Sequence, residues 1–445
     1  MENETYIGEV IDLTHDGAGV VKLDKLAVFI DGCILGDIVE FRIIEMKKSF
    51  AIGELIQIKE YSQMRANYSF DTKTLGGGVP LIELEYGHQL QWKRDKVKKD
   101  FKKIAGLDIE VEPVLGMAYP FRYRNHTQVP VGSLNGKTIT GYYRKGTNEI
   151  IPMTEDFLQP EIGSKILSVV REWMDENSIA AYDRDNKSGA IKHIGIRVNQ
   201  NNEAMVIVVT SFAKIPELYS LAHKLVREAP GIISIYQNIN TRDNGPTYSN
   251  QYIHIFGDKK MTDYIGDLRF EISPDSFFQV NSKQVEVLYN TAIKFLDLKK
   301  EDIVADIYCG VGTISLLAAK TAKRVYGIEY LESAVKNAKK NAQANEVSNA
   351  EFIAGKAEAT LAELFEKSKD INKVILDPPR KGCEPEVINR LILQQPEKIV
   401  YVSCNPATLA RDVKMLVDGG YKVEAVQPVD MFPHTSHVEC VVLMS

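Results

Sequence analysis

Three polar side chains that could take part in catalysis follow or interrupt apolar runs late in the chain. Cys404 follows the run 399–402 after one serine, Asp377 follows the run 374–376, and Glu439 lies within the run 438–443. The carboxyl ends of parallel strands meet at one edge of a sheet, where α/β folds bind their ligands. The pattern therefore predicts one pocket with Cys404 as nucleophile, Asp377 as polar anchor and Glu439 as base.

Each of these assignments has an alternative. Cys383 is the rival nucleophile, because it lies six residues after Asp377 and close to the same strand end. A lone cysteine is also commonly a buried, inert thiol. Glu439 lies either at an exposed strand edge or in a buried position, where burial would raise its pKa and suit it to proton removal. His434 and His437 lack a clear third ligand, so no metal site is predicted.

A glycine turn predicts the cofactor. Residues 304–313 have the pattern of a strand, a turn with Gly310 and Gly312, and a helix start, and Glu329 ends the next strand. A carboxylate in that position can accept hydrogen bonds from both ribose hydroxyls of a nucleoside. A dinucleotide-binding turn would place its third glycine where this chain has Ser315. The pattern therefore favours S-adenosylmethionine over a dinucleotide.

The elements that position these residues fall into three predicted domains. Residues 1–60 alternate apolar and polar residues with glycines at turns, which predicts a small β-barrel. Residues 61–265 mix strand and helix patterns and are predicted to form a central α+β domain, in which 88–106 is a basic helix with a solvated face. Residues 266–445 alternate strands and helices, which predicts an α/β fold with a parallel, Rossmann-like sheet.

The composition is ordinary for a globular protein. The chain has 445 residues, of which 44% are hydrophobic and 26% charged, and its net charge is −6. Five cysteines, an odd number, argue against a disulfide framework and for a reducing compartment. No apolar run is long enough to cross a bilayer, and the N-terminus lacks a signal-peptide pattern. We therefore expect a cytoplasmic protein with no membrane partner.

Cations and aromatic residues cluster locally despite the negative net charge. Residues 117–148 contain no Asp or Glu, and Arg122 and Arg124 lie there among several tyrosines. Cations bind phosphates and rings stack on unpaired bases, so the segment predicts an RNA contact; a twisted sheet with a charged outer face is equally compatible. Two further rings, Phe277 and Phe278, precede Gln279; they could stack on a base, although a core position is favoured for Phe277.

Several segments of the chain resemble the RNA uracil-C5 methyltransferases. The resemblance rests on residues 377–382, 399–408 and 430–439, and also on 278–281 and 306–313. Residues 1–60 resemble the TRAM domain, an OB-like barrel of that family. The resemblance implies an S-adenosylmethionine-dependent methyltransferase with Cys404 as nucleophile and Glu439 as base. The cofactor contacts expected are Gln279, Tyr308, Gly310, Glu329 and Asp377, and the substrate contacts expected are Phe278, Asn281, Arg122, Arg124 and Arg380.

One departure from the family concerns an iron–sulfur cluster. Many members bind a four-iron cluster through a Cys-x5-Cys-x2-Cys motif and a distant fourth cysteine. The comparable positions here are Ser69, Leu75 and Gly78, and no cysteine lies between Cys33 and Cys309. We therefore predict no iron–sulfur cluster, so the segment 63–80 must be held by other packing or be mobile.

The resemblance also suggests the substrate. The barrel and the large central domain favour uridines of 23S rRNA over tRNA, because the shorter tRNA enzymes of the family lack the barrel. The same reaction on the T-loop uridine of tRNA is the second hypothesis. A non-catalytic RNA-binding factor is a hypothesis of another class, and intact Cys404 and Glu439 argue against it. Because the three predicted domains of one chain could bind RNA together, we expect the protein to be a monomer.

Overall fold

The first part of the chain is a six-stranded sheet that curls around its own core; the computed structural model describes residues 4–445. A Cβ atom at Gly8 in the first strand would lie 2.5 Å from Val21 Cγ1 in the third, so these strands touch without being hydrogen-bonded neighbours. The strands are β1 Thr5–Glu9, β2 Asp12–Leu13, β3 Gly19–Leu23, β4 Leu26–Ile30, β5 Ile38–Met46 and β6 Phe50–Glu60, in the spatial order β1-β5-β6-β4-β3-β2.

A helical connection follows the first sheet. It consists of a 3₁₀ helix at Thr72–Gly78, helix α1 at Tyr86–Asp100 and a π-helical turn at Phe101–Ala105. Gly106 ends the turn with a φ of 71°, a left-handed conformation that glycine adopts without strain. The basic helix predicted at 88–106 is therefore present, with slightly earlier limits.

The central part is a seven-stranded sheet with two helices on one face. Only β11 and β12 run parallel, and α3 connects them. Side chains alternate between the faces of β11, so that Met205, Ile207 and Val209 pack against the last part of the chain. The elements are β7 His126–Leu134, β8 Lys137–Tyr143, β9 Ile150–Pro152, α2 Glu161–Glu176, β10 Ile191–Val198, β11 Ala204–Thr210, α3 Leu218–Glu228, β12 Ile232–Ile239 and β13 Tyr252–Gly257.

A hairpin joins the central sheet to the last one. Its strands, β14 Met261–Ile265 and β15 Leu268–Ile272, pair along their whole length around a turn at Gly266. Phe270 lies in one core with the next helix, α4 Ser282–Leu296. The domain limit predicted between residues 265 and 266 therefore falls inside one structural unit, because a two-stranded hairpin needs both of its strands.

The last part contains a seven-stranded sheet whose first five strands in space are parallel. The antiparallel strand β22 lies between β20 and β21 and completes it. The strands are β16 Ile303–Ile307, β17 Arg324–Glu329, β18 Ala350–Ala354, β19 Lys373–Leu376, β20 Lys398–Ser403, β21 Val423–Val429 and β22 Glu439–Met444, in the order β18-β17-β16-β19-β20-β22-β21. From β16 the chain winds first towards β18 and then towards β20, and such a switch point opens a crevice at the carboxyl ends of the strands.

Helices cover both faces of this sheet. One face carries α4, α5 Thr313–Ala319 and α6 Glu332–Ala344, and the other carries α7 Ala357–Lys367, α8 Pro385–Gln394 and α9 Pro406–Asp418. Strands buried on both faces read as mainly apolar runs, as β16 does apart from Asp306 and β19 does after Lys373. Within residues 4–445, every helix is too short or too polar to cross a membrane.

Helix α1 packs against the last sheet, although the sequence groups it with the central domain. Val97 and Phe101 are fully buried in one core with strands of that sheet, because they lie four residues apart on the face that meets α9. The prediction that the cations of this helix lie on a solvated face is wrong for one of them. Lys93 is fully buried and forms an ion pair with the equally buried Asp430.

Candidate active site

A cavity of about 700 Å³ opens at the carboxyl ends of β16, β19 and β20. Tyr308 and Gly310 follow β16, Asp377 follows β19, and Cys404 follows β20, while Glu439 begins β22. All five residues line this one cavity. The structure therefore brings the predicted nucleophile, anchor and base together at the switch point of the sheet.

The turn that carries Cys404 is fixed by its two neighbours. Ser403 Oγ accepts the Asn405 amide at 3.1 Å, and the Asn405 side chain accepts the Ala407 amide at 3.1 Å as the N-cap of α9. Asn405 Nδ2 also donates to the Arg380 carbonyl oxygen at 3.1 Å. These bonds hold the loop in place, and the half-buried thiol of Cys404 lines the cavity.

Cys404 does not ionise readily in this environment. Burial raises the pKa of its thiol to about 11, the negative charges of Glu439 and Asp377 add to the rise, and Arg380 opposes it. A thiol with so high a pKa attacks only if its proton is removed as the substrate approaches. The neighbouring carboxylates, Glu439 and Asp377, could accept that proton.

Glu439 and Asp377 share the same apolar surroundings. Burial, with a contribution from Asp377, raises the pKa of Glu439 to about 8, and Arg380 lowers it in part. Burial and the charge of Asp306 raise the pKa of Asp377 to about 7. Because each carboxylate disfavours ionisation of the next, the group retains protons near neutral pH. A carboxylate with a pKa near 8 is a much stronger base than an exposed one.

This shift predicts a pH-dependent stability. The folded pKa of Glu439, about 8, exceeds its ordinary value of 4.5, so the protonated form stabilises the fold and this stabilisation is lost as pH rises through 8. Between pH 6 and pH 9, Glu439→Gln should therefore gain about 3 kcal/mol of stability relative to the native chain, most of it below pH 8. Urea unfolding at each pH measures the gain. Glu424→Gln, at an exposed site, is the control, and parallel profiles for Glu439→Gln and the native chain would refute the shift.

Cys383 does not reach the cavity. Its buried thiol lies within hydrogen-bonding distance of the hydroxyl groups of Tyr308 and Tyr401, and its amide donates to Asp412 at 2.8 Å. Burial raises the pKa of this thiol to about 12. The rival nucleophile is therefore packed behind the cavity wall, where it supports Tyr308.

The glycine turn forms the other end of the cavity. Tyr308, Gly310 and Gly312 have left-handed φ values, and a Cβ atom at Gly312 would lie 2.8 Å from the ring of Phe352. Glu329 accepts the Gly310 amide at 3.2 Å, and so it supports the turn. The residues that line the cavity do not include Glu329.

Asp306 is a cavity residue that the sequence analysis did not select. It is buried in β16, and Oδ2 accepts from Ser315 Oγ at 2.5 Å, while Oδ1 has no hydrogen-bond partner in the described structure. Burial raises the pKa of Asp306 to about 7. A lone carboxylate in an apolar strand was the signal that identified Glu439, and the same signal marks Asp306.

These features suit S-adenosylmethionine. Carboxyl groups of Asp306, Asp377 and Glu439 surround the cavity, which favours a cationic sulfonium over a pyrophosphate. The unpaired Oδ1 of Asp306 leaves an acceptor for a ligand donor. Among the residues that line the cavity, Arg124 and Arg380 are the arginines, and neither belongs to the glycine turn.

Both phenylalanines before Gln279 line the cavity, and the core position predicted for Phe277 is wrong. Phe277 was predicted to lie in the core, but its side chain is 75% exposed at the mouth of the cavity. Phe278 is buried against Phe270 and borders the cavity from within. Gln279 also lines the cavity, and its carbonyl oxygen accepts Asn125 Nδ2 at 2.9 Å.

The predicted substrate contacts divide into two groups. Arg124 and Arg380 line the cavity with Phe278. Arg122 lies elsewhere, because its guanidinium forms an ion pair with Glu155 and donates to the carbonyl oxygens of the same loop. Asn281 is buried as the N-cap of α4 and donates to the Met431 carbonyl oxygen at 3.1 Å. These contacts give Arg122 and Asn281 structural roles. Neither residue lines the cavity.

Aromatic packing holds the segment that carries the cysteine positions of other family members. Phe70 stacks on Phe157 with centroids 3.9 Å apart and meets Phe121 edge-on, and Tyr68 joins them. Leu75 is buried in the same core. Of the two alternatives for segment 63–80, packing is therefore the one observed. The absence of an iron–sulfur cluster or another metal stays a prediction.

Loss of this packing should destabilise the protein. We expect Phe70→Ala to lower the free energy of unfolding by about 2–3 kcal/mol, because Phe70 is partly buried and makes three ring contacts. Urea unfolding measures the change. Phe212→Ala, at a side chain 48% exposed, should cost less than about 0.5 kcal/mol. Equal losses for both variants would contradict the structural role of the ring cluster.

Comparisons with known proteins identify relatives of this chain. Residues 260–445 match the family model described as tRNA (uracil-5-)-methyltransferase. Two relatives, each described as an uncharacterized RNA methyltransferase, come from Clostridium tetani, with 42% identity over all of this chain and 97% of that protein, and from Caldanaerobacter subterraneus, with 43% identity over 99% and 98%.

A solved structure matches over the whole length. It is the Pyrococcus abyssi tRNA (uracil-54, C5)-methyltransferase in complex with S-adenosyl-L-homocysteine, with a TM-score of 0.79, 28% identity, and coverage of 99% of this chain and 100% of that one. The fold and the cavity thus define an S-adenosylmethionine-dependent RNA methyltransferase. More closely, the chain belongs to the tRNA (uracil-5-)-methyltransferase family. The resemblance and the fold class inferred from the sequence are confirmed.

Proposed function

We propose that this protein methylates C5 of specific uridines in structured RNA, with 23S rRNA as the first candidate substrate. The observation that carries the proposal is the placement of Cys404, Glu439 and Asp377 around one cavity beside the glycine turn. The nucleophile, the carboxylate that accepts a proton and the turn that would bind the cofactor then all lie close to one bound uracil. A non-catalytic RNA-binding factor would not need a thiol and three carboxyl groups around a ligand-sized cavity.

The chemistry assigns separate tasks to Cys404 and Glu439. Cys404 passes its proton to a carboxylate of the cavity and its sulfur bonds to C6 of the uracil, so that the C5–C6 electron pair becomes nucleophilic at C5. S-adenosylmethionine, when bound, supplies a methyl group on a positively charged sulfur. C5 then carries both a methyl group and a proton. Glu439 removes this proton, the C5–C6 double bond reforms, and the thiolate leaves C6.

Other residues of the cavity bind and orient. Tyr308, Gly310 and Gln279 would hold the cofactor, with Glu329 supporting the turn, and the carboxyl group of Asp377 would lie between the cofactor and the uracil. Arg380 and Arg124 are cations near the cavity mouth and would contact the RNA backbone. Phe277 presents an exposed ring there, on which a base that has left the helix can stack.

Two RNA substrates remain in competition. The barrel was the reason to prefer 23S rRNA, yet the Pyrococcus abyssi tRNA enzyme matches this chain over its full length. The barrel alone therefore does not separate the two, and the T-loop uridine of tRNA is the second candidate. The monomeric state and the cytoplasmic location stay predictions.

Mass spectrometry of nucleosides tests the proposal. We would measure 5-methyluridine in tRNA and in large-subunit rRNA, purified separately, from a strain that lacks the gene and from the same strain expressing the native chain or Cys404→Ala. Loss from rRNA that only the native chain restores would support the first candidate, and loss from tRNA would support the second. A full level of 5-methyluridine in both RNAs, together with no methylation of either by the purified protein, would refute the enzymatic function.

A further inference from the structure

The loop 430–438 forms one wall of the cavity and is built under strain. It connects β21 to β22 and contributes Phe432, Thr435 and His437 to the lining, immediately before Glu439. His434 in its centre has a φ of 67°, in the left-handed region that non-glycine residues rarely adopt. Such a conformation persists only where surrounding contacts hold it.

Three polar side chains of α1 make contacts of this kind. Tyr86, Gln89 and Lys93 are spaced by three and four residues, so they lie on one face of the helix. Lys93 Nζ donates to Asp430 Oδ1 at 2.5 Å and to the Phe432 carbonyl oxygen at 3.0 Å. The hydroxyl group of Tyr86 donates to Asp430 Oδ2 at 2.8 Å. Both ends of the ion pair are fully buried.

Gln89 holds the strained residue itself. Its Oε1 accepts the His434 amide at 2.9 Å, and its Nε2 donates to His434 Nδ1 at 3.1 Å. The opposite ring nitrogen, Nε2, then carries the hydrogen and donates to the Pro120 carbonyl oxygen at 3.1 Å. Burial keeps this imidazole neutral by lowering its pKa to about 3. The amide and both ring nitrogens of His434 are thereby paired.

We propose that Tyr86, Gln89 and Lys93 form a positioning clamp that holds the cavity loop 430–438 in its reactive shape, with the Lys93–Asp430 ion pair as its central contact. None of the three residues lines the cavity. They act through the loop, by setting where Phe432, Thr435 and His437 meet the target base. Asp430 follows Val429, which pairs with Glu439 across the sheet. The clamp therefore also fixes the loop next to the strand end that carries Glu439.

A buried ion pair is a costly way to obtain stability alone. Removing one partner leaves an unpaired buried charge, whereas removing both charges is often neutral for stability. The variant Lys93→Met should therefore destabilise the protein. Lys93→Met/Asp430→Asn should fold normally, because no charge stays buried and the amide oxygen of the new side chain would still accept from Tyr86. The double variant thus separates positioning from stability.

The experiment compares the native full-length chain, both clamp variants and Lys96→Met, which removes a partly exposed ion pair with Asp100 from the same helix. Hydrogen exchange of peptides covering 430–439 measures how well the loop is held. The melting temperature measures stability, and methylation of the RNA substrate measures function. We expect the double variant to melt like the native chain, to exchange faster in the loop, and to lose about tenfold or more in kcat, because small misplacements of reacting groups have large effects on rate. S-adenosylhomocysteine affinity should stay unchanged, since the glycine turn is untouched.

The outcomes decide between a positioning role and a purely structural role of the Lys93–Asp430 pair. Native-like methylation by the double variant, or native exchange of its loop, would overturn the clamp and leave the pair with a structural role. The kinetic comparison rests on the proposed function, whereas the exchange comparison does not. If the native chain methylated no RNA, the proposed function would fail, and the exchange of 430–439 would still decide whether α1 holds the loop.

Discussion

Replacing Cys404 by Ala should abolish methylation and covalent capture of RNA. Without the sulfur there is no bond to C6, so C5 stays a poor nucleophile and the methyl group has no acceptor. We expect the rate of 5-methyluridine formation to fall by at least about 10³-fold, which corresponds to roughly 4 kcal/mol of transition-state stabilisation. Purified protein, an RNA transcript and labelled S-adenosylmethionine provide the measurement.

The other buried cysteine near this site provides the control for Cys404. Cys383→Ser keeps a hydroxyl group close to Tyr308 and Tyr401, so methylation should stay within about threefold of the native rate. S-adenosylhomocysteine binding by Cys404→Ala should also be native, because the thiol is not needed to build the glycine turn. If Cys404→Ala retained more than a tenth of the native methylation rate while Cys383→Ser retained less than a tenth, the roles of the two cysteines would have to be exchanged.

The sequence could predict that Cys404, Asp377 and Glu439 lie around one cavity, because local patterns determine their places. Cys404 and Asp377 each follow a run of apolar residues that is buried on both faces, and parallel strands bring such positions to one edge. Glu439 is marked by the rarity of a carboxylate in an apolar strand. These signals depend on a few neighbouring residues, so no knowledge of distant contacts is needed.

Distant contacts explain what the sequence could not reveal. Lys93 looks like one more cation of a basic helix, and its partner Asp430 lies 337 residues away, so its burial leaves no local signal. The adjacent rings of Phe277 and Phe278 are alike in the sequence, and only the packing of Phe278 on Phe270 shows which one is buried. Arg122 likewise looks available for RNA until its ion pair with Glu155 is seen.

Replacing Glu439 by Gln should trap the enzyme on its RNA. The amide keeps the size of the side chain but cannot accept the proton from C5, so the bond between Cys404 and C6 cannot break. We expect turnover to fall by about 10²–10⁴-fold, the usual contribution of a general base. A protein–RNA adduct that survives denaturing electrophoresis should accumulate, and the RNA it contains should already carry the transferred methyl group.

Two further variants make this result specific. Glu424→Gln changes an exposed carboxylate on the neighbouring strand and should turn over like the native chain without an adduct. Cys404→Ala/Glu439→Gln should form no adduct, which would identify Cys404 as the attached residue. If Glu439→Gln lost activity without accumulating an adduct, Glu439 would act before the sulfur–C6 bond forms, as the group that takes the thiol proton. The high pKa of Cys404, about 11, makes that order of events the direct competitor, and the presence or absence of the adduct decides between them.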